Sequence, residues 1–221
     1  LESYDGLMDA FSDEVKRRPF SAIRRALTMR RSSRAEDGEA LERQLLTFRD
    51  RMVEARRRVE TWRVTGDGFD VLGPGLTRTY KRARKAMSAA CEAADGGDEA
   101  QDEAFHEWRK RVKYHRYHCA ILKPIWPEVV GSRRDKCHDL TDLIGDDHDL
   151  VVLREVIDDE REFFEERVGE SALERLVAAM RARSNALRRK SYYVGAALFT
   201  EGDEALVERF RGYWVGSGRE P

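Results

Sequence analysis

The stretch FHEWRKRVKYHRYHC, residues 105–119, decides how the rest of the chain is read. At about 100° per residue, Phe105, Trp108, Val112, His115, Cys119 and Leu122 share one arc. His106, Arg109, Lys110, Lys113, Arg116 and Tyr117 occupy the adjoining arc, with Lys113 near its middle. The first arc is the core stripe of a helix. Pro124 and Pro127 stop it. Its cations flank the core stripe, where neighbouring helices meet and a groove forms.

The helix before it repeats the pattern in TRTYKRARKAM, residues 77–87. Leu76, Tyr80, Ala83, Met87 and Ala90 make the apolar stripe. Arg78, Lys81, Arg82 and Lys85 sit at i, i+3, i+4 and i+7 and share a face. Between Leu76 and Ala90 there are five Lys/Arg and no acid. A single basic stripe is ordinarily a solvated face. Two in succession, with few compensating acids, call for a counter-anion. Arg supplies planar forks for phosphate oxygens, Lys point charges, and Tyr and His further donors, a mixture suited to a polyanionic phosphate. The expectation is one furrow shared by the helices of residues 75–93 and 101–123.

Helical periodicity extends in both directions. Leu41, Leu45, Phe48, Met52, Ala55, Val59 and Trp62 alternate four and three residues apart, a coiled-coil-like seam. GDGFDVLGPG, residues 66–75, follows as a turn segment. Two shorter helices, 3–17 and 19–35, are expected to be separated at Pro19. After Pro127 a helix to about Ile144 is expected to end at Gly145 as its C′ residue, with Asp146 or Asp147 capping the next, which runs to Val168. Helices over about 171–200 and 203–214 complete the chain, and ADGGDE (94–99) separates the two basic helices. No run alternates with period two beside a hairpin turn, so the class is all-α: antiparallel helical bundles with little or no sheet.

The 221 residues suffice for a sizeable core. A net charge of −1 conceals segregation, because Asp139–Glu170 holds thirteen Asp/Glu against three Arg. No apolar run is long enough to span a bilayer, and LESYDGLMDAF lacks a basic leader, so no membrane partner is expected. Three cysteines without CxxC spacing fit buried thiols in a reducing cytoplasm. The chain begins without Met inside an amphipathic pattern (Leu7, Phe11, Val15), and residues upstream are expected.

Two other chemistries have candidate residues in the chain. His138-Asp139 and His148-Asp149 invite a metal-dependent phosphohydrolase of the His-Asp type, which needs further ligands converging on one metal. Glu103-x-x-His106 and Asp135-x-x-His138 resemble di-iron pairs, yet Arg109 and Lys110 crowd His106. Neither a nucleophile elbow nor a GxxxxGK loop is present. The expectation is a binding protein with no catalytic residue, metal or cofactor. Nucleic acid is the main rival ligand, but no helix-turn-helix, RNP motif or zinc knuckle occurs, and Tyr117 is a lone candidate for base stacking.

FHEWRKRVKYHRYH, followed by WPEV and LTDLIGDDHDLVVLRE, resembles the second half of the CHAD family, the conserved histidine α-helical domain. GDGFDVLGPGLTRTYKRARKAM and GAALFTEGDEALVERFRGYW also fit, so the likeness covers most of residues 66–214. The resemblance implies two pseudo-symmetric helical bundles around a basic central cavity or pore. It also implies binding of inorganic polyphosphate in a cytoplasmic protein, including one associated with polyphosphate granules. Carried over, the ligand set is His106, Arg109, Lys110, Lys113 and Tyr117, with Arg78, Lys81, Arg82 and Lys85 on the partner helix, His148 from the second motif and Arg188 from LRRKSYY. Residues 1–214 then form one domain, with 1–65 a remnant of the first half, 66–214 the second half and 215–221 a frayed tail. The related basic helix expected of a first half is not found between Leu1 and Trp62.

Overall fold

The computed structural model describes residues 4–5, 18–34, 38–93 and 98–218. Among them the chain is all-α, with no strand. The helices are α1 (Arg18–Arg34), α2 (Gly38–Glu60), α3 (Gly73–Glu92), α4 (Asp98–Leu122), α5 (Pro127–Asp159), α6 (Arg161–Val168), α7 (Glu170–Leu198) and α8 (Asp203–Gly216). Short 3-10 turns cover Gly68–Val71 and Lys123–Ile125. Proline sets several boundaries. Pro19 and Pro74 lie in the first turns of α1 and α3, where an N–H is not required. Pro124 ends α4 in a 3-10 turn, and Pro127 opens α5. The helix expected over 3–17, the break at 94–97 and the last three residues lie outside the described residues, wholly or in large part.

Two boundaries differ from expectation: the helix expected to run to Val168 breaks at Glu160, between α5 and α6, and Gly145 marks no boundary. Gly145 does not end a helix, and Asp146 and Asp147 do not cap one; α5 runs through all three without interruption. A glycine inside a helix costs about 1 kcal/mol relative to alanine. Here its neighbour explains it. A Cβ on Gly145 would lie 3.1 Å from Arg109 Nη2 and 3.3 Å from Arg109 Nε. The glycine admits a guanidinium from α4 against the α5 backbone.

The chain divides into two compact units. Residues 1–65 and 160–176 form the first, and 66–159 with 177–221 form the second. Residues 160–176 thus group with the N-terminal unit rather than with residues 66–159. In the first unit α1 packs on α6, with Ile23, Ala26, Leu27, Phe164 and Leu173 buried. Arg30 of α1 donates to Glu160 at 2.8 Å. The expected seam does form on α2, but it faces solvent: Leu41, Leu45, Phe48, Met52 and Val59 are all exposed.

The second unit holds the main core. α4 packs against α3 on one flank and α5 on the other, while α8 packs on α3. Phe105, Trp108, Val112, Cys119 and Leu122 of α4 meet Leu76, Tyr80 and Ala83 of α3, Cys137, Leu140 and Ile144 of α5, and Leu206 and Phe210 of α8 in one cluster. His115, on the same stripe, is fully buried. Its Nε2 accepts from Arg133 Nε at 3.1 Å, and its ring lies 5.2 Å from that of Tyr80. The apolar arc of the 105–119 stretch is therefore the centre of this unit.

Candidate functional site: the basic face of α4 and its α5 neighbour

Four residues, His106, Lys110, Lys113 and Tyr117, are spaced i, i+4, i+7 and i+11. They rise in a nearly straight row of about 17 Å along α4. His106 and Lys113 are half-buried, while Lys110 and Tyr117 are exposed. Arg109 flanks the row on the α5 side. Its Nε donates to the carbonyl of Thr141 at 3.2 Å, and its guanidinium lies over Gly145. One turn further along α5, His148 meets His106, ring centroids 4.7 Å apart. The LIGDDHDL segment thus serves the motif helix through the bare backbone at Gly145 and an imidazole at His148.

Burial, then the neighbouring His148, Lys110 and Arg109, lower the pKa of His106, against a smaller opposing pull from Glu107. Its Nδ1 is buried and has no hydrogen-bond partner among the described residues. Near neutral pH this ring is consequently an uncharged group among cations. Lys110 is partly neutralised by Glu107 at 2.6 Å, and Arg111 pairs with the same carboxylate. Among the described residues no carboxylate pairs with Arg109 or Lys113. The guanidinium of Arg116 lies over the Tyr117 ring, 5.3 Å from its centroid. Beyond His148, α5 presents Asp142 and Asp149, both exposed. The concentrated positive charge is therefore that of α4.

The α3 cations do not join this row. His118 of α4 abuts Gly75 of α3, where a Cβ would lie 2.9 Å from Nε2. Arg109 is nine residues from His118, or about two and a half turns, and so projects from the opposite flank. Lys81 and Arg84 turn towards Asp203 of α8, at 4.0 and 3.6 Å. Arg78 and Lys81 line an open groove with Thr77, Val207 and Arg211. Arg82 and Lys85 are exposed and have no carboxylate partner among the described residues. The furrow expected between α3 and α4 thus does not gather both sets: His106, Arg109 and Lys113 lie on the far side of α4. The reason is angular, since both helices spend their mutual contact on apolar side chains and His118.

Arg188 departs from its expected role most clearly. It is buried, and its three nitrogens are taken by Asp147 (Nε to Oδ2, 2.8 Å), Gln101 and Asp102. Arg154 binds the other oxygen of Asp102, and the Arg188 guanidinium also lies over the Phe105 ring at 4.9 Å. It joins α7, α5 and α4 from the inside, its side chain only 7% exposed. Asp147, expected to cap a helix, is the anion of this clamp. Sequence reading missed the partnership because its members are 41 and 86 residues apart.

The two His-Asp doublets do not converge. His138 and His148 lie ten residues apart on one helix, about 15 Å. His138 pairs with Asp142 at 3.1 Å, while His148 faces His106. Among the described residues no three His, Cys, Asp or Glu side chains are grouped to hold a metal ion. None of the described helices is long and apolar enough to cross a membrane.

Comparison with known proteins places these observations in a family. An uncharacterized protein of Mycobacterium tuberculosis, from strains CDC 1551 / Oshkosh and H37Rv, is 31% identical to this chain over 144 residues. The match covers 65% of the chain but only 24% of that protein, so this chain spans about a quarter of the length of the curated relatives it matches. No solved structure matches the chain closely enough to be counted as similar. The sequence model of the CHAD domain matches residues 1–158, taking in the N-terminal helices as well as α3, α4 and α5, with the row on α4 and both of its contacts on α5. On that match, the chain belongs to the CHAD domain family.

Proposed function

We propose that this protein binds inorganic polyphosphate along the α4 row, with Arg109, Lys110 and Lys113 as charge contacts and His106, His148 and Tyr117 as hydrogen-bonding neighbours. The observation that carries the reading is the cluster of His106, Arg109 and His148, held by close packing of α4 on α5 beside two lysines. Such an arrangement suits a linear anion with repeating phosphate oxygens, because a row of donors along one helix can be met by successive groups. Arg78, Arg82 and Lys85 on α3 form a separate basic surface that a long chain could reach after leaving the row. Arg188 is assigned a positioning role, and no catalytic residue is assigned.

The test is direct. Binding of long-chain polyphosphate is measured for the wild type, for Lys110→Glu/Lys113→Glu and for Lys81→Glu/Arg82→Glu, with helicity checked by circular dichroism. The α4 pair should lose most of the affinity, and the α3 pair much less. With three charge contacts, and the slope of about −0.7 per contact typical of flexible polyanions, raising salt from 50 to 200 mM should weaken binding roughly 20-fold. Unchanged affinity in the α4 pair, or a flat salt response, sinks the reading. Single-stranded RNA and duplex DNA, compared at equal phosphate, test nucleic acid as the alternative ligand; tighter binding of either overturns the assignment.

A further inference from the structure

The exposed seam of α2 forms a second surface, unrelated to the basic row. Leu41 (58% exposed), Phe48 (61%) and Val59 (51%) lie on it, as do Leu45 and Met52, while Leu46 and Val53 widen it on one side. From position 41 to 60 every side chain of α2 is exposed except Ala55, which is half-buried. Isolated helices are marginal in water, and a 4-3 apolar repeat over this length is the pattern of a helix that pairs with another.

The flanks of the seam define the partner. In heptad terms Leu45, Met52 and Val59 are a positions, and Leu41, Phe48 and Ala55 are d positions. The e positions are then Glu42, Arg49 and Arg56, and the g positions Gln44, Arg51 and Arg58. Arg49 pairs with Asp50 at 2.8 Å and Arg56 with Glu60 at 3.8 Å, on their own helix. Arg51 and Arg58 pair with no carboxylate among the described residues. A second copy of α2 in parallel would set Arg51 against Arg56 of its mate. Antiparallel in full register, Arg49 would face Arg49 and Arg51 would face Arg51, although Glu42 would meet Arg56. Like charges at these positions oppose pairing, and opposite charges select partners.

We propose that the α2 seam is a docking surface for an acidic amphipathic helix, one with an apolar a/d stripe flanked by Asp and Glu. A protein helix fits better than a lipid surface: the stripe follows the heptad, and Asp50, Glu54 and Glu60 interrupt the polar face, which on a lipid-binding helix is dominated by Lys and Arg.

The experiment titrates the whole chain with fluorescein-labelled three-heptad peptides of identical apolar a/d residues, carrying either Glu or Lys at every e and g position. The Glu peptide should bind and the Lys peptide should not. Phe48→Asp should abolish binding, and Arg51→Glu/Arg58→Glu should weaken the Glu peptide at least tenfold while admitting the Lys peptide. Sedimentation of the protein alone tests the second copy: a dimer that Phe48→Asp dissociates overturns the proposal. Flotation with vesicles of mixed neutral and anionic phospholipid tests the membrane, and flotation without binding of the Glu peptide overturns it equally. Equal affinity for the two peptides would remove the charge argument and the proposal with it.

Discussion

Replacing Arg188 with methionine separates a clamp from a ligand contact. In the structure the Arg188 side chain is 7% exposed and that of Asp147 2%. Asp102 keeps Arg154 when Arg188 is lost, but Asp147 loses its ion-pair partner. Removing one member of a buried ion pair costs about 3–5 kcal/mol, because the remaining charge is left without compensation. Against a typical domain stability of about 5–15 kcal/mol that is a large fraction. Burial already raises the Asp147 pKa despite the neighbouring Arg188, and without the guanidinium it rises further. A carboxyl with a raised folded pKa is stabilised by protonation, so the cost of the variant is full above that pKa and shrinks as pH falls through it. Urea unfolding should therefore give a loss of about 3–5 kcal/mol at pH 7.5 and about half that or less at pH 5. Arg188→Met/Asp147→Asn should recover much of the loss, and once folded should bind polyphosphate as the wild type does. A loss under about 1 kcal/mol, or the same loss at both pH values, would refute the clamp. A fully stable double variant with abolished binding would return Arg188 to the ligand set.

Two other perturbations probe the same unit. The pKa of His106 is depressed in the free protein, chiefly by burial and then by nearby positive groups. A bound anion should restore it, so binding takes up a proton and affinity should rise as pH falls from 7.5 to 5.5, by at most tenfold per pH unit. His106→Asn should flatten that profile, and a profile unchanged by the substitution would show that His106 is not the titrating group. Gly195→Ala should destabilise by up to about 2 kcal/mol, since overpacking costs about 1–3 kcal/mol and the helical preference of alanine returns about 1. The added Cβ would stand 2.5 Å from Trp108 Cζ2 and 2.9 Å from Met87 Sδ, so the packed indole must move. Thermal unfolding checks this, and a raised midpoint would contradict it.

Much of the fold is legible because helices are local. The 3.6-residue repeat of apolar residues, with Pro74, Pro124 and Pro127 at boundaries, gives α3, α4, α7 and α8 to within a few residues. Gly145 breaks that logic. Locally it reads as a stop, but the helix continues because the glycine serves a contact with Arg109, 36 residues earlier. Asp147 behaves the same way: an acid after a glycine reads as a cap until Arg188 is found beside it. Propensity and capping rules concern near neighbours, and both residues answer to distant ones.

The sequence by itself determined the helical class, the core arc of α4 and the one-sided gathering of cations on α3 and on α4, because each follows from angular spacing along a single helix. Only the tertiary structure decided how those faces are turned relative to one another. It set His106 and Arg109 against α5, Lys81 towards α8 and Arg188 inside an acidic clamp. The heptad seam of α2, as regular as any core stripe in the chain, lies in solvent. Periodicity records which side chains share a face, whereas the azimuth at which two helices pack depends on residues far apart in the chain.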